Sequence, residues 1–177
     1  MSSEKIIAYK GPVFSVIQMK LDLPDGRERI YDRVDIQDAV TILPIDADGC
    51  VYFVRQYRVG SESSLLELPA GKIEEGENAQ SAAEREIREE IGMGAAQLNS
   101  LGGFYMSPGY STEYMHCFLA TGLSHSPLTP DSDEFINVEK VNLTEVKRMI
   151  TSGELPDGKT LAVFMLAWEQ IIPSQPK

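Results

Sequence analysis

The chain has 177 residues, of which 42% are hydrophobic and 24% charged, a balance typical of one globular domain rather than of a disordered or coiled-coil chain. Its formal net charge of −11 argues against nucleic acid or an anionic membrane as a partner, because so acidic a surface repels polyanions. Two cysteines, no signal-peptide pattern and no apolar run of membrane-spanning length predict a protein of the reducing cytoplasm.

The first part of the chain is predicted to form strands. Residues 13–21 and 28–32 are β-rich and flank the turn sequence LPDGR, which predicts a hairpin. The strongest strand candidates are AVTILPI at 39–45 and CVYFVRQY at 50–57, separated by the turn DADG. The following SLLELPAG reaches a Pro-Gly break.

Helices and strands alternate in the remainder. A helix is predicted from Ala79 to Ile91, ended by Gly92. Further strands at 101–106, 114–120 and 136–141, a polar loop at 124–134, and helices near 143–152 and 159–172 complete the prediction. This order predicts an α/β (α+β) fold in one domain, 1–177, with the hairpin in about 1–35 and the core in 36–177.

The helix at 79–91 places four glutamates within seven positions. Residues four apart share a helix face, which gives an apolar stripe of Ala79, Ala83, Ile87 and Ile91. Glu86 and Glu90 lie at the border of this stripe and Glu89 joins them, whereas Glu84 is expected in solvent.

Carboxylates this close repel one another unless a counterion is present. Arg85 precedes Glu89 by four residues and is placed to pair with it. A divalent cation such as Mg²⁺, which prefers carboxylate oxygens and water, would neutralise the rest, although a solvated face of salt bridges is the alternative. The preceding ELPAGKIEEGE brings a backbone carbonyl near Ala70 towards the same place.

Residues 71–93, GKIEEGENAQSAAEREIREEIGM, match the pattern G-x5-E-x7-R-E-U-x-E-E-x-G-U, where U is bulky and apolar. The fixed positions are Gly71, Glu77, Arg85, Glu86, Ile87, Glu89, Glu90, Gly92 and Met93. In this the chain resembles the Nudix hydrolases, which cleave a nucleoside diphosphate linked to another group with the help of a divalent metal. The resemblance implies an α/β/α sandwich with a mixed sheet and an N-terminal antiparallel hairpin.

The resemblance also implies roles for the residues of the motif. Glu86 and Glu90 would be the principal ligands of Mg²⁺ or Mn²⁺, with Glu89 as an additional ligand or a base. Arg85 would orient the glutamates, and Glu77 would hold the loop to the helix.

Three further features resemble the branch of ADP-ribose pyrophosphatases and nucleotide-sugar hydrolases. They are VRQYR with ELPAGKIEEGE, a proline at Pro108, and DSDEFINVEKV followed by GELPDGKTLAVFMLA. In that branch the carbonyl at Ala70 is a metal ligand, and an acid of the late loop binds metal or acts as the base. Glu134 matches that acid best and Asp133 second, while Glu139 is interpreted as an ordinary strand residue.

The same resemblance implies that Arg58 contacts substrate phosphates and that Ser111 and Glu113 lie in the loop near the substrate. Arg55 is expected on the surface. Core positions are expected for Tyr57, Tyr105 and Trp168.

The predicted function is hydrolysis of ADP-ribose to AMP and ribose 5-phosphate. The resemblance also implies a homodimer whose N-terminal strands reach the partner's active site. Another nucleoside diphosphate sugar, such as GDP-mannose, stays open as the substrate. A non-catalytic nucleotide-sugar sensor is the alternative of another class, and the intact Glu86, Glu89 and Glu90 argue against it.

Overall fold

A computed structural model describes residues 4–130 and 135–171, which divide into two compact units. The first unit comprises the chain up to Asp38 together with Phe104–Met115. The second comprises Ala39–Gly103 and the chain from His116 onward.

The first unit is built on a three-stranded antiparallel sheet in the order β1-β2-β3, formed by β1 (Glu4–Lys10), β2 (Ser15–Asp22) and β3 (Glu28–Asp35). The hairpin predicted from residues 13–32 is confirmed as β2 and β3. The strand β1 was missed, because KIIAYK is short and does not alternate strictly. The loop of residues 106–113 packs on the end of β3, where the Val34 N–H donates to the carbonyl of Tyr110 at 2.7 Å.

The second unit contains the three helices and the remaining strands, apart from residues 104–105 and 114–115 at two strand ends, which belong to the first unit. In chain order these are β4 (Ala39–Pro44), β5 (Cys50–Arg58), β6 (Ser63–Glu67), β7 (Ala70–Lys72), α1 (Ala79–Glu90), β8 (Met93–Tyr105), β9 (Tyr114–His125), β10 (Asn137–Asn142), α2 (Leu143–Ser152) and α3 (Gly158–Ile171). One sheet has the order β10-β5-β6 and the other β7-β4-β9-β8. The predicted α/β class is confirmed. The strand expected before the Pro-Gly break is present as β6, whereas β7 was not predicted, and β8 begins eight residues earlier than the strand expected at 101–106.

Helix α1 packs its apolar stripe into the core of the second unit. Ala83, Ile87 and Ile91 are buried against β4, β5 and β9, as the four-residue spacing predicted. The helix begins at Asn78, whose side chain accepts a hydrogen bond from the Ser81 N–H at 2.9 Å. It ends before Gly92, which takes a positive φ of 70°, as the predicted helix stop requires.

Three aromatic residues expected in the core are exposed, so those predictions are wrong. Tyr57 at the end of β5 is 59% exposed and Tyr105 at the end of β8 is 58% exposed, since strand ends project beyond the layers that cover them. Trp168 is 36% exposed because α3 buries the neighbouring face, with Val163 and Phe164.

No helix in the described ranges is long and apolar enough to cross a membrane.

Candidate active site

Arg85 on α1 holds the acidic side chains of the site together. Its Nε and Nη2 donate to the two carboxylate oxygens of Glu77, both at 2.9 Å. Its Nη1 donates to Glu86 Oε1 at 2.7 Å and to Glu89 Oε2 at 2.8 Å. The predicted pairing of Arg85 with Glu89 is thus present. The single positive charge of Arg85 thus faces three carboxylates. Their hydrogen bonds, first of all the one to Glu77, raise the pKa of Arg85.

Glu77 links the loop before α1 to the helix. Besides binding Arg85, its Oε2 accepts a hydrogen bond from the Glu74 N–H at 3.0 Å. The hydrogen bond from Arg85 holds the pKa of Glu77 below its ordinary value. Arg85 Nη2 also donates to the carbonyl of Lys72 at 3.0 Å, which fixes the end of β7 to the same helix.

Glu86 and Glu90 are buried, with 6% and 5% of their surface exposed, although both are acidic. Glu84, two residues before Glu86 in the same helix, is exposed, as predicted. The Ala70 N–H donates to Glu90 Oε2 at 2.9 Å, so α1 meets β7 at the residue whose carbonyl is the expected ligand. Burying two carboxylates is costly unless they are hydrogen-bonded or meet a cation, which marks this side of α1 as a candidate cation site.

Gly71 is explained by space rather than by the turn that the sequence suggested. A Cβ atom at Gly71 would lie 1.9 Å from Glu86 Oε1, far inside van der Waals contact. Its φ lies outside the left-handed region, whereas Gly76 in the next turn has a φ of 88°. The backbone of β7 therefore passes directly against the carboxylate of Glu86.

The donor set fits Mg²⁺ but does not form a protein cage. Within residues 4–130 and 135–171, no group of three or more His, Cys, Asp or Glu side chains is gathered closely enough to hold a metal alone. Arg85 engages Glu86 and Glu89 here. Mg²⁺ commonly keeps several waters and binds through one or two carboxylates plus substrate phosphates, so it does not require such a cage.

A second charged cluster lies where β5, β6 and the start of α3 meet. Arg58 binds Glu67 side-on, with Nε to Oε1 at 2.9 Å and Nη2 to Oε2 at 2.8 Å. Lys159 Nζ donates to the same Oε2 of Glu67 and to Asp157 Oδ2, the latter at 3.1 Å. Two cations, Arg58 and Lys159, and two anions, Glu67 and Asp157, therefore form the cluster, and Glu67 is 1% exposed.

The cluster keeps Glu67 ionised. Burial alone would raise its pKa, but the hydrogen bond from Arg58 and the charge of Lys159 outweigh burial and lower the pKa below its ordinary value of 4.5. The neighbouring segment is held by Thr160, whose hydroxyl accepts from the Leu68 N–H at 3.0 Å and donates to Asp157 Oδ2 at 2.6 Å.

Apart from Arg58, the members of this cluster were not predicted from the sequence. The signal in LPDGKT was present, since Asp157 precedes Thr160 by three residues and accepts its N–H at 3.0 Å, as a helix N-cap does. Lys159, a lysine at the start of an otherwise apolar helix sequence, was a second signal.

The other predicted residues lie in separate places. Ser111 and Glu113 belong to the first unit, where Ser111 Oγ accepts from the Glu113 N–H at 3.2 Å. Glu139 pairs with the partly exposed Arg55 across β10 and β5, so it is the ordinary strand residue that was expected. The expected acid Glu134, with Asp133, lies outside the described residues.

Comparison with known proteins identifies the family of the chain. A family model for the NUDIX domain matches residues 35–164, which include every position of the glutamate motif. The chain belongs to the Nudix family and is a Nudix hydrolase, as its sequence indicated.

Individual relatives cover from about three quarters to nearly all of the chain. An ADP-ribose pyrophosphatase of Bacillus subtilis (strain 168) is 36% identical over 97% of this chain and 97% of its own. A GDP-mannose pyrophosphatase of Yersinia enterocolitica is 31% identical over 78% of this chain and 75% of its own. Among solved structures, the crystal structure of an ADP compounds hydrolase matches with a TM-score of 0.86 and 27% identity, covering 97% of this chain and 95% of the other.

Proposed function

We propose that this Nudix hydrolase acts on nucleoside diphosphate sugars and that its preferred substrate is ADP-ribose. Water would cleave the diphosphate, breaking one P–O bond of the anhydride and forming one new P–O bond, with AMP and ribose 5-phosphate as products. The observation that carries the choice of substrate is the near full-length similarity to an ADP-ribose pyrophosphatase.

The buried carboxylates of α1 support the reaction chemistry. Glu86, Glu90 and the carbonyl of Ala70 would hold Mg²⁺, or Mn²⁺, with Glu89 as a further ligand. When bound, the ion would neutralise the diphosphate and lower the pKa of a bound water. Arg85 keeps Glu86 and Glu89 in place before the substrate arrives, which reduces the reorganisation needed during the reaction.

Other residues of this chain would bind the substrate and handle the proton. Arg58 would bind the phosphates, because its side-on pair with Glu67 leaves the end-on face of the guanidinium, with Nη1, turned away from that carboxylate. Ser111 and Glu113 would contact the rest of the substrate. Glu134 would take the proton of the attacking water, with Asp133 and Glu89 as alternatives.

GDP-mannose is the second candidate substrate. The similarity to a GDP-mannose pyrophosphatase favours it, although that similarity covers less of the chain. Both substrates share the diphosphate, so the carboxylates of α1 serve either equally. The choice depends on contacts to the base and the sugar.

The test is turnover of a substrate panel by the purified protein with Mg²⁺, followed by chromatography of the products. We expect ADP-ribose to have the highest kcat/KM, with AMP and ribose 5-phosphate released, and EDTA to abolish the reaction. A higher kcat/KM for GDP-mannose would overturn the choice of substrate. Absence of turnover with the whole panel would overturn the proposed function.

Two matched variants on α1 test the metal ligands. Glu90→Gln keeps the size of a buried side chain but removes its charge, and we expect kcat/KM to fall at least about 100-fold. Glu84→Gln removes a charge from the exposed face of the same helix and should leave kcat/KM nearly unchanged. Equal activity of both variants would contradict the assignment of Glu90.

We also propose that the protein is a homodimer that works in the cytoplasm. The sheet β1-β2-β3 exposes large apolar side chains, among them Ile7 and Ile30 at 65% and 64%, which a second copy would cover. Cys50 and Cys117 are both thiols, in keeping with a reducing compartment.

A further inference from the structure

We infer that Lys159, at the start of α3, is a positioning residue that fixes the carboxylate of Glu67 and through it aims the guanidinium of Arg58 at the substrate diphosphate. The inference rests on the proposed function, in which Arg58 binds the phosphates. It adds to the site a residue of α3, Lys159, which lies outside the motif on α1.

The contacts form a chain that begins at the backbone of α3. Asp157 is fixed by the Thr160 N–H at 3.0 Å and the Thr160 hydroxyl at 2.6 Å. Asp157 accepts from Lys159 Nζ at 3.1 Å, and Lys159 in turn donates to Glu67 Oε2. The same oxygen of Glu67 accepts from Arg58 Nη2 at 2.8 Å. The guanidinium of Arg58 is thus positioned by a helix terminus through three intermediate side chains.

Side-chain exposure distinguishes Arg58 from the two residues that precede it in this chain of contacts. Glu67 is 1% exposed and Lys159 is 10% exposed, whereas Arg58 is 38% exposed. Arg58 is therefore the member of the three that a dissolved anion can reach. Attraction from Glu90 also acts on Arg58, so the arginine lies in the field of the acidic helix.

Stability alone does not account for Lys159. A buried cation loses its hydration, and replacement of buried ion pairs by apolar residues of similar volume is often neutral or stabilising. Glu67 already has a bidentate partner in Arg58, which satisfies both of its oxygens. The second cation adds a further bond to Oε2 of the carboxylate, which limits the rotation of Glu67 and keeps the guanidinium in one orientation.

The restraint affects substrate binding. A long arginine side chain loses rotamer freedom when it binds a ligand, and an arginine already held in its bound orientation loses less. Lys159 also leaves Glu67 with a counter-charge when Arg58 shares its donors with the diphosphate. Removal of Lys159 should therefore weaken binding of the substrate more than it slows the chemical step.

The experiment is a double-mutant cycle of Lys159→Met and Arg58→Met. Each variant is measured for KM and kcat with ADP-ribose, and for the Kd of an ADP-ribose analogue whose bridging oxygen is replaced by methylene. We expect Lys159→Met to raise KM and Kd roughly tenfold with kcat within about threefold of wild type. Arg58→Met should raise both by about 100-fold. Adding Lys159→Met to Arg58→Met should change them little further, because the effect of Lys159 passes through Arg58.

A matched control separates positioning from loss of stability. Val163→Ala removes buried apolar volume from the same helix but no member of the charged cluster, and it should lower the melting temperature while leaving KM unchanged. An unchanged Kd in Lys159→Met, or fully additive effects in the double variant, would overturn the inference while wild-type turnover leaves the proposed function standing. If the wild type neither binds the analogue nor hydrolyses ADP-ribose, both are overturned.

Discussion

Gly71 shows how one missing side chain determines the geometry of the site. The backbone of β7 can run against the Glu86 carboxylate only because residue 71 has no Cβ, which would lie 1.9 Å from Glu86 Oε1. Glu86 cannot move away freely, since Arg85 holds the same oxygen at 2.7 Å and the side chain is buried. The role of the glycine is steric, and its substitution should act on Glu86 rather than on the backbone.

We therefore expect Gly71→Ala to damage activity more than stability. The added methyl group displaces a carboxylate by an ångström or more, and misplacement on that scale can cost about 100-fold in rate. The melting temperature should fall by only a few degrees, because the backbone conformation at residue 71 suits alanine.

The measurements for this variant are kcat/KM with ADP-ribose and thermal unfolding followed by circular dichroism. Gly109, where an added Cβ meets nothing within 4 Å, supplies the control Gly109→Ala, which should leave the melting temperature unchanged. Wild-type kcat/KM in Gly71→Ala would show that Glu86 has room to adjust.

At the scale of elements, the local sequence pattern predicted the burial and the contacts that depend on neighbouring residues of one helix. The buried positions of Ala83 and Ile87 and the exposure of Glu84 follow from the helical period, and Arg85 meets Glu89 one turn later. The bond between Arg85 and Glu77 spans eight residues, and the sequence did not indicate it: the resemblance implied only that Glu77 holds the loop to the helix.

Contacts between distant elements could not be predicted in this way. Lys159 and Glu67 are 92 residues apart, and their pairing depends on how α3 packs beside β6. Nothing in the local sequence of ELPAG indicates that its glutamate is buried. The same limit explains Tyr57 and Trp168, whose exposure depends on which neighbouring elements cover them.

The start of α3 is the element on which this long-range packing depends, and Thr160 is its test. Thr160 is fully buried, and its hydroxyl serves both the Leu68 N–H and Asp157. Thr160→Val keeps the shape but leaves a buried N–H without that acceptor, so we expect the free energy of unfolding to fall by about 2 kcal/mol. Urea unfolding measures the change.

Thr151→Val in α2 is the control for Thr160→Val, because the Thr151 hydroxyl is exposed and bonds only carbonyls of its own helix, those of Lys147 and Arg148. Its free energy of unfolding should stay within about 0.5 kcal/mol of wild type. Equal effects of the two substitutions would show that the bond to Leu68 does not stabilise the fold.

At the scale of the whole molecule, the acidic surface and the exposed apolar sheet have opposite effects on the association of two copies. A net charge of −11 keeps molecules apart in solution, so close association of two copies requires an apolar surface large enough to outweigh the repulsion. The sheet β1-β2-β3 supplies such side chains on both faces. In register, Ile6 and Ile30 lie on one face and Ile7 and Tyr31 on the other.

The expected homodimer is tested by placing charge on both faces at once. Ile7→Glu combined with Ile30→Glu puts two carboxylates at positions that are 65% and 64% exposed, so the single chain should fold normally while the dimer dissociates. Light scattering after size-exclusion chromatography should give a dimer mass for the wild type and a monomer mass for the variant.

Met165→Glu, at a 75% exposed position of α3, should remain dimeric, since it charges an apolar residue outside the sheet. A monomeric wild type, or a variant that stays dimeric, would contradict association through this sheet. If the monomer also loses turnover, residues of one copy complete the site of the other.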